Sequence, residues 1–461
     1  MLYRRRCLAV PRHMPGTARV RKTQQNLFPN PQIRRRYTMK IKNLRWYIIV
    51  LVMLGTITNY LSRNTLGIAA PTMLKEIGFT EQQYSWITAA FNLAYPIGGV
   101  FAGYIMDRFG VRAVFSLMAV LWSVFNALTG FFSSWIPMMI LRLGIGLTES
   151  TFNPAGMKVS AQWFPARERG LACGIYSVGT SAGAMLAPPV VAWSILHYNW
   201  RVAFVVASVF GILWAVLWCV AYRAPEKHPL LRPDELALTG RDITPVVRRR
   251  VSLKTLLPRR DLWAISLPRM FADPTWAALG FWMPLYLVTV RHLDLKQIAL
   301  FAWLPFLTAD VGCLFAGFCA EMLNRWGVKL VNAKRITFTF AALLMTLVPL
   351  INHVTSAGMA ITLFCVAGFA HQCASITVIS MSGDYFDESE VGTVTGFAGL
   401  IGGVGGFTGT LLIGAAVASI GYNLVFDVLG FLDLIGAILL WTLLSHPRPA
   451  PARDNAFNPG L

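Results

Sequence analysis

The chain has 461 residues, of which 55% are hydrophobic and only 13% charged, and its mean hydropathy is +0.54. Soluble domains carry about 25% charged residues, so this composition excludes an ordinary soluble enzyme and points to a polytopic membrane protein. The formal charge of +20 does not mark a nucleic-acid binder, because ten Lys and Arg residues and no acid precede Met39; half of the net charge is one short tail.

Residues 1–45 form that basic N-terminal tail, expected on the cytoplasmic side. Its prolines and lack of periodicity leave it unable to bury a core. No apolar stretch follows the arginines as a signal peptide requires. Two readings stay open. Residues 1–38 are an upstream extension of a true start at Met39, or they are a basic arm that touches anionic lipid.

Twelve apolar segments then follow, each long enough to cross a ~30 Å hydrocarbon layer as a helix. They are expected at 46–70, 84–106, 113–134, 136–160, 171–195, 201–222, 263–290, 297–320, 336–352, 357–382, 391–419 and 424–445. Strands are excluded, since the runs lack the alternation of a barrel. The fold class is therefore an all-α membrane protein with twelve transmembrane helices. A polar linker over 223–262 divides it into a bundle over 46–222 and a second over 263–445, and 446–461 is a short tail. Two six-helix halves joined by a charged linker are the plan of a transporter built from repeats.

The loops on the linker side carry Arg108, Arg112, Arg167, Arg169, Arg325, Lys329, Lys334 and Arg335, whereas the other loops hold scattered charge. By the positive-inside rule both termini are cytoplasmic. The expected location is a membrane, crossed many times. The seven cysteines form no CxxC and no cluster with histidine. They read as small buried hydrophobes in a reducing compartment. No metal site, cofactor, nucleotide loop or nucleophile constellation is expected.

Within the fourth span, Arg142 and Glu149 lie seven residues apart, about two helical turns, and so project from nearly the same face. Each charge costs at least ~2.5–3.5 kcal/mol at the bilayer centre, which makes intramembrane charges functional candidates. A repeat is also visible. Gly103, Asp107, Arg108, Gly110 and Arg112 follow the second span, and Gly317, Glu321, Arg325, Gly327 and Lys329 follow the eighth. In such a loop glycine permits close helix approach and the acid can cap a neighbouring helix N-terminus, so that the loop latches two helices in one state.

The Gly-x-x-x-Asp-Arg-x-Gly-x-Arg pattern at 103–112 resembles the signature of the major facilitator superfamily. Asn59 to Asn64, Arg142 to Glu149 and Gln162 to Arg169 are similar to the anion:cation symporter family of sugar-acid carriers. Leu267-Pro268-Arg269, Asp273-Pro274, Phe301-Ala302-Trp303, Ala309-Asp310 and Phe369-Ala370-His371-Gln372 narrow the resemblance to bacterial hexuronate transporters. What the resemblance implies is a proton symporter, working by alternating access, for a sugar-acid anion such as glucuronate or galacturonate. Its partners are then that anion, the proton and the lipid bilayer, with no nucleic acid, and the chain is expected to be a monomer.

Moving a carboxylate through a bilayer requires a fixed cation, and coupling it to protons requires an acid whose protonation follows the state of the site. Arg63 and Arg142 are the candidate clamps, since a guanidinium meets a carboxylate bidentately. Either one could instead be structural, Arg63 by snorkelling to the end of its helix. Glu149 is the candidate proton carrier, the other reading being a permanent ion pair. Aldonate-type carriers place an aspartate where Ser62 stands, so Glu149 is left as the coupling acid. Tyr95, Asn59, Tyr60, Asn64, Asn92, Asn153, Thr180, His371 and Gln372 are candidate readers of sugar hydroxyls or helix–helix hydrogen bonds; Tyr95 matches a substrate-contacting tyrosine of the family. Arg269 and Asp273, one turn apart, read as a pair for structure or gating. Asp310 is open between these roles, and Asp427 and Asp433 read as packing. The glycine-rich run 402–409 reads as close helix packing.

Other readings are a carrier of an aldonate, an aldarate or another organic anion, a proton-coupled exporter, and a sugar-acid sensor that transports nothing. An exporter of cations conflicts with two cavity arginines, and a sensor would not accumulate labelled compound.

Overall fold

The computed structural model describes residues 40–240, 253–386 and 388–444, all helical or connecting, with no strand among them. The expectations for residues 1–38 and 446–461 lie outside the described residues, as does the middle of the linker. The first half contains α1 (Leu44–Ile77), α2 (Glu81–Phe109), α3 (Val111–Thr129), α4 in two pieces (Trp135–Glu149 and Phe152–Trp163), α5 (Ala166–His197) and α6 (Trp200–Ala221). The linker forms short helices at Pro225–Lys227, Pro233–Gly240 and Leu253–Leu256. The second half contains α7 (Arg260–Ala277, continued by Ala278–Trp282 and Met283–Thr289), α8 (Leu295–Phe301 and Leu304–Arg325) and α9 (Leu330–Met345, with a 3₁₀ turn Val348–Asn352). It ends with α10 (Ala357–Tyr385), α11 (Glu388–Ser419) and α12 (Tyr422–Leu443). The expected all-α, twelve-span layout is thus present, with boundaries moved by a few residues.

Among the described residues, ten helices are long and apolar enough to span a membrane. The two outside that group are α4 and α7, and each has a local reason. In α4 the hydroxyls of Thr148, Ser150 and Thr151 bond back to carbonyls three or four residues earlier, which loosens a helix. Pro154 then removes a donor, and the helix breaks just after Glu149 instead of running on as the sequence suggests. In α7 Pro284 cannot donate to the carbonyl of Gly280, and the chain widens into a π turn in which the Met283 N–H reaches the Ala278 carbonyl.

Two features reproduce the internal repeat in three dimensions. Gly110 and Gly327 end their helices at φ 82° and 89°, a left-handed region that glycine enters without a Cβ penalty. Arg112 donates through Nε to the carbonyl of Cys219 at 2.8 Å, and Arg335 donates to the carbonyl of Leu444 at 2.5 Å. Each arginine therefore satisfies an orphan carbonyl at the end of its half's last helix. In the second half Arg335, not the expected Arg325 or Lys329, is the counterpart of Arg112. Arg325 is used locally, 2.8 Å from Glu321 on its own helix.

Outward-facing apolar side chains at helical spacing, such as Leu213, Val216 and Val220 on α6 and Val311, Leu314 and Phe318 on α8, are exposed. In water this much apolar surface would be a liability; in a bilayer it is the required exterior.

The interior divides unevenly. At the linker face, packing forms two separate cores, one from each half: Leu44 to Leu231 in the first and Leu256 to Leu444 in the second. At the opposite face a single core draws on both halves, joining Leu66, Met73 and Tyr84 to Leu279, Trp282 and Phe306. The π turn makes this junction specific. The Tyr84 hydroxyl donates to the carbonyl of Phe281 at 2.8 Å, and Gly67 packs directly on the carbonyl of Gly280. The halves are closed against each other at the opposite face and apart toward the linker face.

A side chain at Gly67 must push this junction open. Gly67→Leu should cost about 1–3 kcal/mol, the usual range for overpacking, read as a lowered unfolding temperature of the purified protein. Gly170→Leu, where a Cβ meets nothing within 4 Å, should leave that temperature unchanged.

Candidate functional site

Between the halves lies a cavity of about 540 Å³, within the ~300–1,000 Å³ range of small-molecule sites. Its walls come from α1, α2, α4 and α5 on one side and α7, α8, α10 and α11 on the other. Of the candidate residues, Tyr60, Arg63, Asn64, Tyr95, Thr180, His371, Gln372, Arg269 and Asp273 line it; Asn59, Arg142 and Glu149 lie behind the wall.

The residues of α1 act as one unit because they sit a turn apart. Arg63 Nη2 donates to Asn59 Oδ1 at 3.3 Å, and Asn64 Nδ2 donates to the Tyr60 carbonyl at 2.9 Å. Three rings surround the guanidinium: Tyr60 at 4.4 Å, Tyr95 at 4.5 Å and Phe91 at 4.9 Å. Ring faces attract a cation and displace water from it. Arg63 is therefore held in the cavity wall by π surfaces and does not reach for the membrane interface.

Glu149 takes Arg63 as its partner, Nε to Oε2 at 3.0 Å, with the carboxylate fully buried. This differs from the same-helix pairing with Arg142 that the spacing suggests. Seven residues advance a helix by about 10.5 Å, beyond ion-pair reach, whereas α1 brings Arg63 alongside. Arg142 is fully buried, and its three guanidinium nitrogens have no hydrogen-bond partner among the described residues. It stands within electrostatic range of Glu149, Tyr84 and Arg63. The other Glu149 oxygen also lacks a donor among them. One cavity-wall arginine and one fully buried arginine thus stand around a single buried acid.

The second half supplies a different chemistry. Arg269 and Asp273 stand 3.8 Å apart on α7, and the ring of Trp276 stacks on His371 with centroids 5.4 Å apart. Asp310 of α8, outside the cavity lining, accepts a hydrogen bond from the lining residue Ser181 of α5, a polar contact between the halves. Thr180 spends its hydroxyl on the carbonyl of Ser177. Asp433 is fully buried on α12 with neither carboxylate oxygen partnered among the described residues, while Asp427 accepts from Asn352.

The run Gly402–Gly409 packs as a helix face. Gly403 meets Pro96 of α2, Gly405 the Met270 carbonyl and Gly409 Pro274 of α7. Nearby, Asn92 of α2 donates to Thr410 across the halves at 3.0 Å. Away from the cavity, at the linker face, Asp107 pairs with Lys158 of α4 at 2.6 Å and does not cap a helix N-terminus. Gly103 meets nothing within 4 Å of an added Cβ, and Arg108 lies 5.4 Å over the ring of Phe109. Sequence reading missed Phe91, Trp276, Ser181 and Lys158. Trp276 had a signal, since it falls three residues after Asp273 and seven after Arg269 on one helix face.

Comparison with known proteins agrees with this architecture. The family model of the Major Facilitator Superfamily matches residues 52–410 and again 322–460. The chain is 39% identical over 416 residues to the hexuronate transporter of Escherichia coli (strain K12), covering 89% of this chain and 96% of that one. It is 38% identical over 311 residues to the galacturonate transporter of Dickeya chrysanthemi, covering 66% and 90%. Among solved structures, a bacterial homologue of the human lysosomal transporter Spinster, in an inward-facing and occupied conformation, superposes with a TM-score of 0.67 at 18% identity, covering 88% of this chain and 96% of that one. Twelve spans in two repeated halves, a central cavity and these matches together place the chain in the Major Facilitator Superfamily.

Proposed function

We propose that the protein is a proton-coupled importer of a sugar-acid anion of the hexuronate type, such as glucuronate or galacturonate. The observation that carries this reading is the charge count at the cavity wall, where Arg63 pairs with the single acid Glu149 and Arg142 is enclosed behind it with no hydrogen-bond partner among the described residues. An uncompensated buried cation is expensive, and a substrate carboxylate supplies the missing charge. The sugar-acid relatives support the same class of cargo.

The steps follow from the geometry. A proton on Glu149 breaks its ion pair with Arg63 and frees that guanidinium. The substrate carboxylate then meets Arg63 at the wall and, once release of Glu149 lets the wall shift, Arg142 behind it, by charge-assisted hydrogen bonds. Tyr60, Tyr95 and Asn64 on one wall, and His371 and Gln372 on the other, face the sugar ring and its hydroxyls. With carboxylate and proton both bound, the charge carried by the site equals that of the empty site with Glu149 ionised, so each state that reorients has the same charge. Once the substrate leaves, Glu149 returns its proton to water and re-pairs with Arg63.

By the positive-inside rule the linker face is cytoplasmic, which puts both termini inside a bacterial inner membrane. The conformation with its halves apart at that face is then the inward-facing one, and alternating access requires the Gly67 and Tyr84 junction to part. The pairs Asp107–Lys158 and Arg112–Cys219 carbonyl hold the ends of the first bundle at the cytoplasmic side during this motion.

Two experiments test this. In proteoliposomes, Glu149→Gln should keep exchange of labelled glucuronate across the membrane but lose accumulation driven by an inward proton gradient; unchanged accumulation would refute the role of Glu149. Arg142→Gln should weaken glucuronate binding about 10- to 100-fold, the worth of one hydrogen bond to a charged group at ~1.5–3 kcal/mol. Unaltered affinity would remove Arg142 from the site.

A further inference from the structure

The cavity holds its charges unevenly. On the first half, two arginines face one acid. On the second half, Arg269 stands 3.8 Å from Asp273 in the cavity wall, and Asp310 lies outside the lining, hydrogen-bonded to the lining residue Ser181. Both Arg269 and Asp273 line the cavity, so both are within reach of the far end of a bound molecule.

Asp273 is built into place. It lies one turn from Arg269 on the proline-flanked segment of α7 and rests against Gly402 of α11, where an added Cβ would fall 3.1 Å from the carboxylate carbon. Arg269 keeps Nε buried without a hydrogen-bond partner among the described residues, so its guanidinium has donor capacity to spare. What it lacks is unspent charge, because Asp273 neutralises it.

From this we infer that Asp273 is a specificity-determining residue, which occupies Arg269 so that the cavity accepts sugar acids with one carboxylate and rejects those with two. The inference rests on the reading of the cavity as a sugar-acid site with its carboxylate at Arg63 and Arg142. A monocarboxylate places its charge there and turns hydroxyls toward the second half. A dicarboxylate of the same length must bring its second charge up to Asp273, where like-charge juxtaposition opposes it. Removing the Asp273 charge releases Arg269 as a second clamp. The two sides of the cavity thus divide the work of recognition.

The test uses the full-length protein in proteoliposomes and measures how well glucarate, a six-carbon dicarboxylate, competes with labelled glucuronate in exchange. The readout is the ratio of their inhibition constants, which a merely structural role would leave alone because damage weakens both. The wild type should bind glucarate at least about tenfold more weakly than glucuronate. Asp273→Asn and Asp273→Ser should each narrow that ratio about tenfold, a change of the size that one charge contact supplies. Adding Arg269→Gln to Asp273→Asn should restore discrimination, since the freed cation is then gone. A wild type that takes both acids equally, or a ratio unmoved in both single variants, overturns the inference and leaves the proposed function standing. Wild-type protein that exchanges neither acid overturns both.

Discussion

One buried carboxylate cannot neutralise two arginines held inside a membrane bundle, and much of the molecule follows from that imbalance. Glu149 pairs with Arg63, while Arg142 stays enclosed with its donors unspent. Breaking a buried pair by removing one partner costs ~3–5 kcal/mol, so such a cluster persists only where the rest of the fold holds it. The fold does so with rings around Arg63, with Asn59 one turn behind it, and with the whole apolar exterior of a membrane bundle outside. The stored charge is what an incoming anion can use.

Irregular backbone gathers beside the cavity and at the junction of the halves. The break in α4 follows directly after Glu149, and the π turn in α7 lies one turn beyond Trp276 and next to the closed junction. Both distortions have sequence causes, in hydroxyl back-bonding and in proline. Straight helices such as α3 and α6 sit on the outside and pack their aromatic side chains, with Trp122, Trp214 and Trp218 around Phe115. A regular outer scaffold leaves the inner helices free to depart from ideal geometry where a ligand needs polar groups.

Much of the architecture is legible in the amino acids, and the physical reasons differ from element to element. Spans are legible because water-free surroundings force long apolar helices, and the repeat is legible because Gly110 and Gly327 end their helices in a conformation that favours glycine. The Arg269–Asp273 proximity is legible because residues four apart share a helix face. Partner choice between helices is not: nothing in the spacing of Arg142 and Glu149 reveals that α1 will bring Arg63 closer. For the same reason the Asp107–Lys158 pair, the Ser181–Asp310 bridge and the equivalence of Arg335 with Arg112 emerge only from tertiary packing. Helix breaks fall between these cases, since the threonines, serine and proline after Glu149 are visible but their combined effect depends on what surrounds them.

The central claim is that anion binding and protonation of Glu149 are one event. It is tested most directly by calorimetric titration of the purified protein with glucuronate in two buffers of different ionisation heat near neutral pH. Binding should take up a proton from the buffer in wild-type protein, and the uptake should vanish in Glu149→Gln. A binding heat identical in both buffers for the wild type would show that the substrate binds without moving a proton, and would contradict the account.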